Sequence, residues 1–309
     1  TAEELRLSKD SFEHAALHDP LTGLANRAFL IEKLEFLLQL SKNIPSTRFY
    51  VLFLDLTRFK NINDSLGHTI GDKVLMLVAK RIMRAVNTED TVARLGGDEF
   101  AVIISDPLSI NKVEKIAHDI YKKLSQPFSL RGNRIFTKLH IGLAAFDREH
   151  KKPEEILRDA DIAMHYAKEK GLSVALFDKE LRSRFLETVS MESELRFAVE
   201  RNQLSMYYQP LICLKTGELM GFEALLRWQH PKLGFVSPAK FIPIAEDSGL
   251  IIPITDWILQ DTCAQLAKWQ KLAPAYQNLM VSVNLSGKHL AVETLVDEVA
   301  KGLGKTQIK

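Results

Sequence analysis

Three acidic residues in the first half of this 309-residue chain lie beside apolar runs. Asp55 follows the apolar and aromatic run 49–54, which predicts a strand buried on both faces. Asp98 and Glu99 stand in a two-glycine turn between apolar runs, and this pattern predicts a hairpin. Open α/β sheets bind ligands at the carboxyl ends of their strands, and Mg²⁺ prefers carboxylate and phosphate oxygens. The acids therefore predict an oxygen-ligand site for Mg²⁺, although the turn taken alone also fits an ordinary hairpin.

Polar residues also lie within or at the ends of strand-like runs in the second half of the chain. Glu223 lies in the apolar run 222–228, Asn284 ends a second run, and Gln209 ends a third. A Glu among apolar residues is either a satisfied buried acid or a metal ligand, and the pattern alone leaves both open. Polar residues near the ends of strands that alternate with helices are typical of the active-site face of a (β/α)₈ barrel.

The composition of the chain and its longest apolar runs limit the classes of protein to which it can belong. The chain is 46% hydrophobic and 26% charged, which is typical of a globular protein, and its length favours two domains. Its net charge of +2 gives no electrostatic argument for nucleic acid. No apolar run reaches the ~18 residues of a membrane span, and the start lacks the apolar stretch of a signal peptide. Cys213 and Cys263 have neither metal-ligand nor disulfide spacing. We expect a cytoplasmic location, with a membrane anchor before Thr1 left open.

Hydrophobic periodicity predicts helices that alternate with strands, and hence an α/β layer. In the first half we expect helices at 1–18, 27–40, 71–86, 110–124 and 153–170, and strands at 49–54, 92–93, 100–104 and 134–145. Residues 178–203 contain no Gly or Pro and predict a long helix that connects two domains. After it we expect strands at 204–211, 219–228 and 279–284, and helices at 251–272 and from 290 onward.

Residues 15–178 contain three ordered motifs. The central one is Arg94-Leu95-Gly96-Gly97-Asp98-Glu99-Phe100, and the opening one is Asp19-Pro20-Leu21-Thr22-Gly23-Leu24-Ala25-Asn26-Arg27. The third runs from Phe59 to Asp64 and continues through Gly67-His68 and Gly71-Asp72. Together these motifs resemble the GGDEF family of diguanylate cyclases. The resemblance implies an α/β sandwich, with a central, mainly antiparallel sheet flanked by helices. It also implies condensation of two GTP molecules into cyclic di-GMP, with release of pyrophosphate.

The resemblance implies a metal site and a base. Asp55, the carbonyl of Leu56, Asp98 and Glu99 would hold Mg²⁺ or Mn²⁺. Asp98 would also help to deprotonate the 3′-hydroxyl that attacks the α-phosphate. Phosphoryl transfer depends mainly on metal, positioning and cationic stabilisation, so these residue types suit the reaction.

The resemblance also implies nucleotide contacts. Lys60 would stabilise charge on the phosphates, and Lys168 would contact them. Asn63 and Asp72 would read guanine, with His68 close to the nucleotide. Each domain of this type holds one GTP, so two domains must face each other, and we expect a homodimer.

Three departures from the family pattern carry expectations of their own. Thr57 stands where many members have a second Asp, and little effect is expected. Leu172 stands at a basic position after the last helix, which predicts weaker GTP binding. The inhibitory product site requires Arg-x-x-Asp, but the residues here are Asn87-Thr88-Glu89-Asp90. Feedback by cyclic di-GMP through that site is therefore not expected.

Four later segments carry a second resemblance. They are Tyr207-Tyr208-Gln209-Pro210, Glu223-Ala224-Leu225, Ser237-Pro238 with Phe241-Ile242-Pro243, and Asn284-Leu285-Ser286. In type and order they resemble the EAL family of cyclic di-GMP phosphodiesterases. The resemblance implies that Glu223 and Asn284 are metal ligands, that Arg227 contacts a phosphate and that Gln209 contacts the ligand. The family's later acidic ligands and catalytic lysine fall beyond Lys309. We therefore expect the N-terminal half of an EAL barrel, without hydrolytic activity as given.

Taken together, the motifs predict four segments: an N-terminal signalling helix (1–18), a GGDEF domain (19–178), a linker helix (179–203) and a truncated EAL domain (204–309). The expected partners are GTP, cyclic di-GMP, a second copy of the chain and an upstream sensor domain. One alternative is a GGDEF domain that binds GTP without turning it over and regulates a phosphodiesterase in a longer chain. A second alternative is a non-enzymatic module for dimerisation or signalling to a partner.

Overall fold

The computed structural model describes residues 16–105, 109–130, 132–290 and 295–306. The chain divides into two compact units, residues 1–185 and 186–309, each with its own hydrophobic core. Of the predicted helix 1–18, residues 1–15 lie outside the described ranges. Within those ranges, no helix combines the length and the apolar character required to cross a lipid bilayer.

A five-stranded sheet forms the centre of the first unit. The strands that the described residues form in this unit are β1 (Tyr50–Thr57), β2 (Thr91–Gly96), β3 (Glu99–Ile104), β4 (Phe128–Leu130), β5 (Asn133–Ile135), β6 (Lys138–Ala145) and β7 (Val174–Leu176). The sheet has the order β2-β3-β1-β6-β7, while β4 and β5 form a separate hairpin. All pairings within the sheet are antiparallel except that of β6 with β7. The sheet is therefore mainly antiparallel, as the sequence predicts.

Helices cover both faces of this sheet. They are α1 (Arg27–Asn43), α2 (Phe59–Leu66), α3 (His68–Met83), α4 (Ile110–Leu124) and α5 (Pro153–Lys170). Side chains alternate between the two faces of a strand. On β1, Leu52 and Leu54 pack with residues of α3 and α4, whereas Val51 and Phe53 pack with residues of α1 and α5. The predicted α/β arrangement is confirmed in this unit.

The second unit is a smaller α/β structure. Helix α6 (Lys179–Leu195) runs across the division between the units. The elements that follow are β8 (Leu204–Ile212), β9 (Leu219–His230), β10 (Gly234–Val236), α7 (Pro238–Ser248), α8 (Ile251–Leu272), a 3₁₀ turn (Pro274–Tyr276), β11 (Met280–Val283), α9 (Gly287–Leu290) and α10 (Leu295–Thr306). Strand β9 forms antiparallel pairings with β8 and β10 and a parallel pairing with β11. Trp228 and Phe241 are fully buried in the core.

Two predicted elements are corrected by the structure. The linker helix was expected to reach Gln203, but it ends at Leu195, because the next residues form turns and Asn202 adopts a left-handed φ of 54°. The strand predicted at 134–145 is interrupted between β5 and β6. At this break the Thr137 hydroxyl donates to the Leu124 carbonyl at the end of α4, 3.3 Å away.

The expected barrel is not seen as a closed structure. The described residues of the second unit form a four-stranded sheet, with no closed ring of strands. Strand β10 and helix α7 were not among the predicted elements. The three-residue length of β10 leaves too few alternating positions for a pattern to be read.

Candidate active site

Asp55 and Glu99 lie opposite each other on neighbouring strands. They are register partners in the antiparallel pairing of β1 with β3, so both side chains lie on one face of the sheet. Asp98 precedes β3 directly, and its carbonyl accepts a hydrogen bond from the Leu56 amide, with N and O 3.4 Å apart. Asp55 was expected to follow its strand, but β1 continues to Thr57 because its pairing with β6 continues. The structure thus brings the four predicted metal-binding residues together.

Lys168 lies against this acidic cluster. It occupies the last turn of α5, and its Nζ lies 2.6 Å from Oδ2 of Asp55. The Lys168 side chain is 45% exposed and that of Asp55 is 14% exposed. A solvated ion pair of this kind contributes little to stability. The exposed ammonium is instead available to an anionic group that approaches Asp55.

The carboxyl groups of Asp98 and Glu99 are both harder to ionise than usual. Burial raises the pKa of Asp98, and the nearby Asp55 carboxylate raises it further. Burial also raises the pKa of Glu99, and repulsion from Asp161, Asp55 and Asp98 adds to this effect. Partial desolvation and neighbouring like charges both disfavour a charged carboxylate. The cluster therefore favours the approach of a cation.

Arg94 fixes the turn that carries Asp98, a role that sequence reasoning missed. Its Nη1 donates to both oxygens of Asp19, at 3.2 and 3.1 Å, while Nε and Nη2 donate to the Gly97 carbonyl at 3.1 and 2.7 Å. Asp19 also accepts hydrogen bonds from the amide and hydroxyl of Thr22. Gly97 has a φ of 51°, which side-chain-bearing residues rarely adopt. The opening motif therefore holds the turn that carries Asp98 in place, and the two motifs form one structural unit.

The predicted guanine-binding residues lie on α2 and α3. Asn63 packs against Gly71, and a side chain at position 71 would have to displace the Asn63 amide. Asp72 follows Gly71 and is exposed. The structure thus places Asn63 beside Gly71.

The remaining nucleotide residues are solvent-facing. Lys60 is exposed in the first turn of α2, shortly after β1 ends, and His68 is exposed at the start of α3. Among the described contacts, neither forms a hydrogen bond or ion pair with the acidic cluster. Their predicted roles therefore rest on sequence alone.

The structure shows the surroundings of Leu172 and of Asp90, which lie in two of the segments that depart from the family pattern. The Leu172 side chain is 44% exposed after the end of α5. Asp90 accepts hydrogen bonds from the amides of Asn87 and Ser105, at 2.9 and 3.3 Å. One carboxylate oxygen of Asp90 therefore holds its own turn, and the other binds the residue that follows β3.

The donor set suits a hard divalent cation. Mg²⁺ takes carboxylate and carbonyl oxygens, usually from few protein groups, and completes its shell with water and substrate phosphates. Asp55, Asp98, Glu99 and the Leu56 carbonyl supply such oxygens. Within the described ranges, no three Asp, Glu, His or Cys side chains converge closely enough to enclose an ion by themselves. The residues therefore fit Mg²⁺ in donor chemistry and charge.

The second unit carries a different polar cluster. Glu223 on β9 is the register partner of Gln209 on β8 and of Ser282 on β11. The Asn284 Nδ2 donates to Oε1 of Glu223 at 2.8 Å. The structure thus brings together Glu223, Asn284 and Gln209, and this cluster contains one acid.

Arg227 lies on the same face of β9 as Glu223, four residues further along the strand. Its guanidinium carbon lies 5.5 Å from the centre of the Tyr207 ring and 6.0 Å from that of Phe235. Its Nη1 donates to the Leu226 carbonyl. Arg227 is therefore held between two aromatic rings, and its predicted phosphate contact remains a prediction.

Comparison with protein families identifies both regions. Residues 16–173 match the family model "Diguanylate cyclase, GGDEF domain", which covers just over half of the chain. The chain belongs to the GGDEF family. Residues 192–309 match the EAL domain model. The chain therefore has the GGDEF–EAL arrangement of cyclic di-GMP signalling proteins, and both resemblances read from the sequence are confirmed. The expectation that only half of an EAL domain is present stays a prediction.

Curated relatives match most of the length of this chain. The chain is 38% identical, over 93% of its length, to the bifunctional diguanylate cyclase/cyclic di-GMP phosphodiesterase MucR of Pseudomonas aeruginosa, of which it spans 42%. It is 35% identical, over 94% of its length, to the cyclic di-GMP phosphodiesterase PdeR of Escherichia coli, of which it spans 43%. The chain thus spans less than half the length of these relatives.

Solved structures match the first unit. The GGDEF domain of YfiN (TpbB) from Pseudomonas aeruginosa is 39% identical, with a TM-score of 0.52, and the match covers 55% of this chain and 99% of that one. The coiled coil and GGDEF domain of DgcB from Caulobacter crescentus, in complex with cyclic di-GMP, is 26% identical, with a TM-score of 0.53. That match covers 57% of this chain and 93% of the DgcB chain. The fold of the GGDEF domain is therefore shared with experimentally determined structures.

Proposed function

We propose that the GGDEF domain is an active diguanylate cyclase that condenses two GTP molecules into cyclic di-GMP. In each half-reaction, the 3′-oxygen of one GTP forms a bond to the α-phosphorus of the other. The bond from that phosphorus to the β-phosphate oxygen breaks, and pyrophosphate leaves. The observation that carries the proposal is the acidic cluster of Asp55, Asp98 and Glu99 with Lys168 beside it.

The carboxylates and one carbonyl would hold the metal ion. Asp55, Asp98, Glu99 and the Leu56 carbonyl supply oxygen ligands of the type that Mg²⁺ or Mn²⁺ takes. When bound, the ion neutralises triphosphate charge and polarises the α-phosphate. Asp98 also assists removal of the 3′-hydroxyl proton.

Basic and polar side chains would bind the rest of the nucleotide. Lys168 extends its exposed ammonium beside Asp55 and pairs with phosphate oxygens, and Lys60 adds a second cation at the start of α2. Asn63 on α2 and Asp72 on α3 hydrogen-bond the guanine base, with His68 nearby. Arg94 keeps the Asp98 turn rigid, so that the ligands are preorganised.

Two copies of the chain are required for this reaction, because each domain binds one GTP. A homodimer, at least transient, with the two sites facing each other is part of the proposal. We place the catalytic domain at residues 19–178, a signalling segment at 1–18 that receives input from an upstream sensor, and a linker at 179–203.

We place the EAL region at residues 204–309 and propose that it binds cyclic di-GMP and a divalent ion weakly. Glu223 and Asn284 would be the metal ligands, and Gln209 and Arg227 would contact the nucleotide. Because this cluster has one acid, we do not expect these residues alone to hydrolyse cyclic di-GMP.

A second candidate function is regulatory. The exposed apolar side chain of Leu172 lies shortly after Lys168, in the region that would receive the triphosphate. In addition, the relative PdeR is named as a phosphodiesterase. On this alternative the GGDEF domain binds GTP without turnover and controls a phosphodiesterase in a longer chain.

The role of Asp98 provides a test. Asp98→Ala removes a metal ligand and the base together, so we expect synthesis of cyclic di-GMP to fall by about a thousandfold. Product is measured chromatographically after incubation with GTP and Mg²⁺. The matched control is Glu89→Ala, which removes an exposed acid from the preceding turn and should leave the rate unchanged. Equal activity of the two variants would refute the assignment.

A further inference from the structure

His140 adjoins the acidic cluster, although no family motif singled it out. In the sheet, Asp55 pairs with Glu99 on β3 and with His140 on β6. Register partners on adjacent strands place their side chains on the same face, with Cβ atoms about 5 Å apart. The row Glu99–Asp55–His140 therefore crosses three strands next to the proposed metal site.

The imidazole of His140 holds the segment that follows α5. Its Nδ1 lies 2.7 Å from the Leu172 carbonyl oxygen. A carbonyl oxygen can only accept, so Nδ1 carries the hydrogen and donates it. This bond selects the tautomer of the ring and joins β6 to the chain just beyond the last turn of α5.

The bond to Leu172 continues into the turn that carries Lys168. The Leu172 amide donates to the Ala167 carbonyl at 2.8 Å, and Gly171 caps the helix in a left-handed conformation. Lys168 is the next residue after Ala167, and its Nζ reaches Asp55 at 2.6 Å. Two hydrogen bonds thus connect His140 to the backbone beside Lys168.

We propose that His140 is a positioning residue for GTP binding, acting through Lys168. Because the lysine side chain is long and flexible, the position of the ammonium group depends on how firmly the lysine backbone is held. Ordering this side chain when a ligand binds costs conformational entropy. His140 fixes the last turn of α5 over Asp55 and lowers that cost. This inference rests on the proposed function, because its benefit is the binding of a triphosphate at Lys168.

Three substitutions separate the two ring nitrogens. His140→Ala removes both. His140→Asn places an amide nitrogen where Nδ1 stands and can still donate to the Leu172 carbonyl, whereas His140→Gln places its amide nearer the position of Nε2. His118→Ala, at an exposed histidine of α4, is the matched control.

The measurement is the affinity for a GTP analogue with a methylene group between the α- and β-phosphorus, titrated calorimetrically with Mg²⁺. This analogue cannot lose pyrophosphate, so binding is measured without turnover. We expect His140→Ala to weaken binding about fivefold, the loss of one hydrogen bond. We expect His140→Asn to stay within about twofold of the native protein, and His140→Gln to resemble the alanine variant.

A double-mutant cycle with Lys168→Ala tests the route of the effect. Because His140 acts through Lys168, His140→Ala should have little further effect in the Lys168→Ala background. An undiminished effect there would overturn the proposal. Rescue by Gln and not by Asn would show direct contact through Nε2 and would also overturn it.

Thermal unfolding of the same variants separates positioning from a structural role. A melting temperature that falls in His140→Ala, without selective loss of affinity, would contradict the proposal. Weakening by Lys168→Ala but not by His140→Ala would refute this inference alone. Failure of the native protein to bind the analogue would refute the proposed function as well.

Discussion

Two carboxylates of the GGDEF domain, Asp55 and Asp159, each bind a basic side chain, but their surroundings differ. The Asp159 side chain on α5 is 1% exposed and accepts hydrogen bonds from His150 at 2.9 Å and from Arg182 at 2.5 and 2.6 Å. Asp55 is more exposed, and its described side-chain hydrogen bond is the one that Oδ2 accepts from the Lys168 Nζ. Helix α5 contributes to both clusters, with Asp159 near its middle and Lys168 near its end.

The pKa values of the carboxyl groups in the two clusters are shifted in opposite directions. Burial alone would raise the pKa of Asp159, but the hydrogen bonds from His150 and Arg182 hold it below its ordinary value. At the Asp55 cluster, the pKa values of Asp98 and Glu99 are instead raised. One cluster neutralises its own charge, whereas the other has excess negative charge. A cation or a metal–phosphate complex would interact favourably with the second cluster only.

The largest expected effect on stability comes from Asp159→Asn. It leaves Arg182 and His150 without their charged partner in a buried site, which typically costs about 3 kcal/mol. The free energy of unfolding, measured by urea titration, should fall by that amount. The matched control is Asp119→Asn on the exposed surface of α4, for which no change beyond about 0.5 kcal/mol is expected.

The stabilisation that the Asp159 carboxylate provides should also depend on pH. Because the pKa of Asp159 is lower in the folded state than in the unfolded chain, its stabilisation is present above the ordinary carboxyl pKa. It is lost as the pH falls through that value toward the lowered one. The stability difference between the native protein and Asp159→Asn should therefore shrink on acidification below about pH 4. A difference that stays constant would show that the carboxylate charge does not matter.

A smaller effect is expected from adding positive charge at the Asp55 cluster. Leu172→Arg places a guanidinium in the region that would receive the triphosphate and should tighten binding of the methylene GTP analogue about fivefold. Leu214→Arg adds the same charge at a fully exposed leucine of the second unit and serves as the control. Equal affinities in both variants would mean that the departure at Leu172 does not weaken binding.

The sequence predicted the helices better than the short strands. Helices α4 and α5 were predicted with their observed bounds, because their apolar residues recur at helical spacing over four turns or more. Strands β4 and β7 have three residues each, too few to show alternation. The linker helix was predicted too long, since no Gly or Pro marks its end, and the left-handed Asn202 is visible only in the structure.

Site residues that belong to a recognisable motif could be predicted from the sequence. Residues that join the site only through the register of paired strands could not. Asp98 and Glu99 stand in a recognisable turn, so their pairing with Asp55 could be expected from a hairpin beside a buried strand. His140 lies on β6, some eighty positions after Asp55, and the pairing of β6 with β1 makes the two residues register partners. No spacing rule in the sequence connects them. Arg94 likewise reaches Asp19 across the fold, which only the three-dimensional arrangement reveals.

The central claim is that the Asp55 cluster uses a divalent cation to make cyclic di-GMP. The most direct measurement incubates the 309-residue chain with GTP, with Mg²⁺ or with a chelator, and separates the nucleotides by chromatography against added cyclic di-GMP. We predict that cyclic di-GMP and pyrophosphate form with Mg²⁺ and that neither forms with the chelator. Binding of GTP with no new cyclic di-GMP would contradict the cyclase assignment and favour the regulatory function.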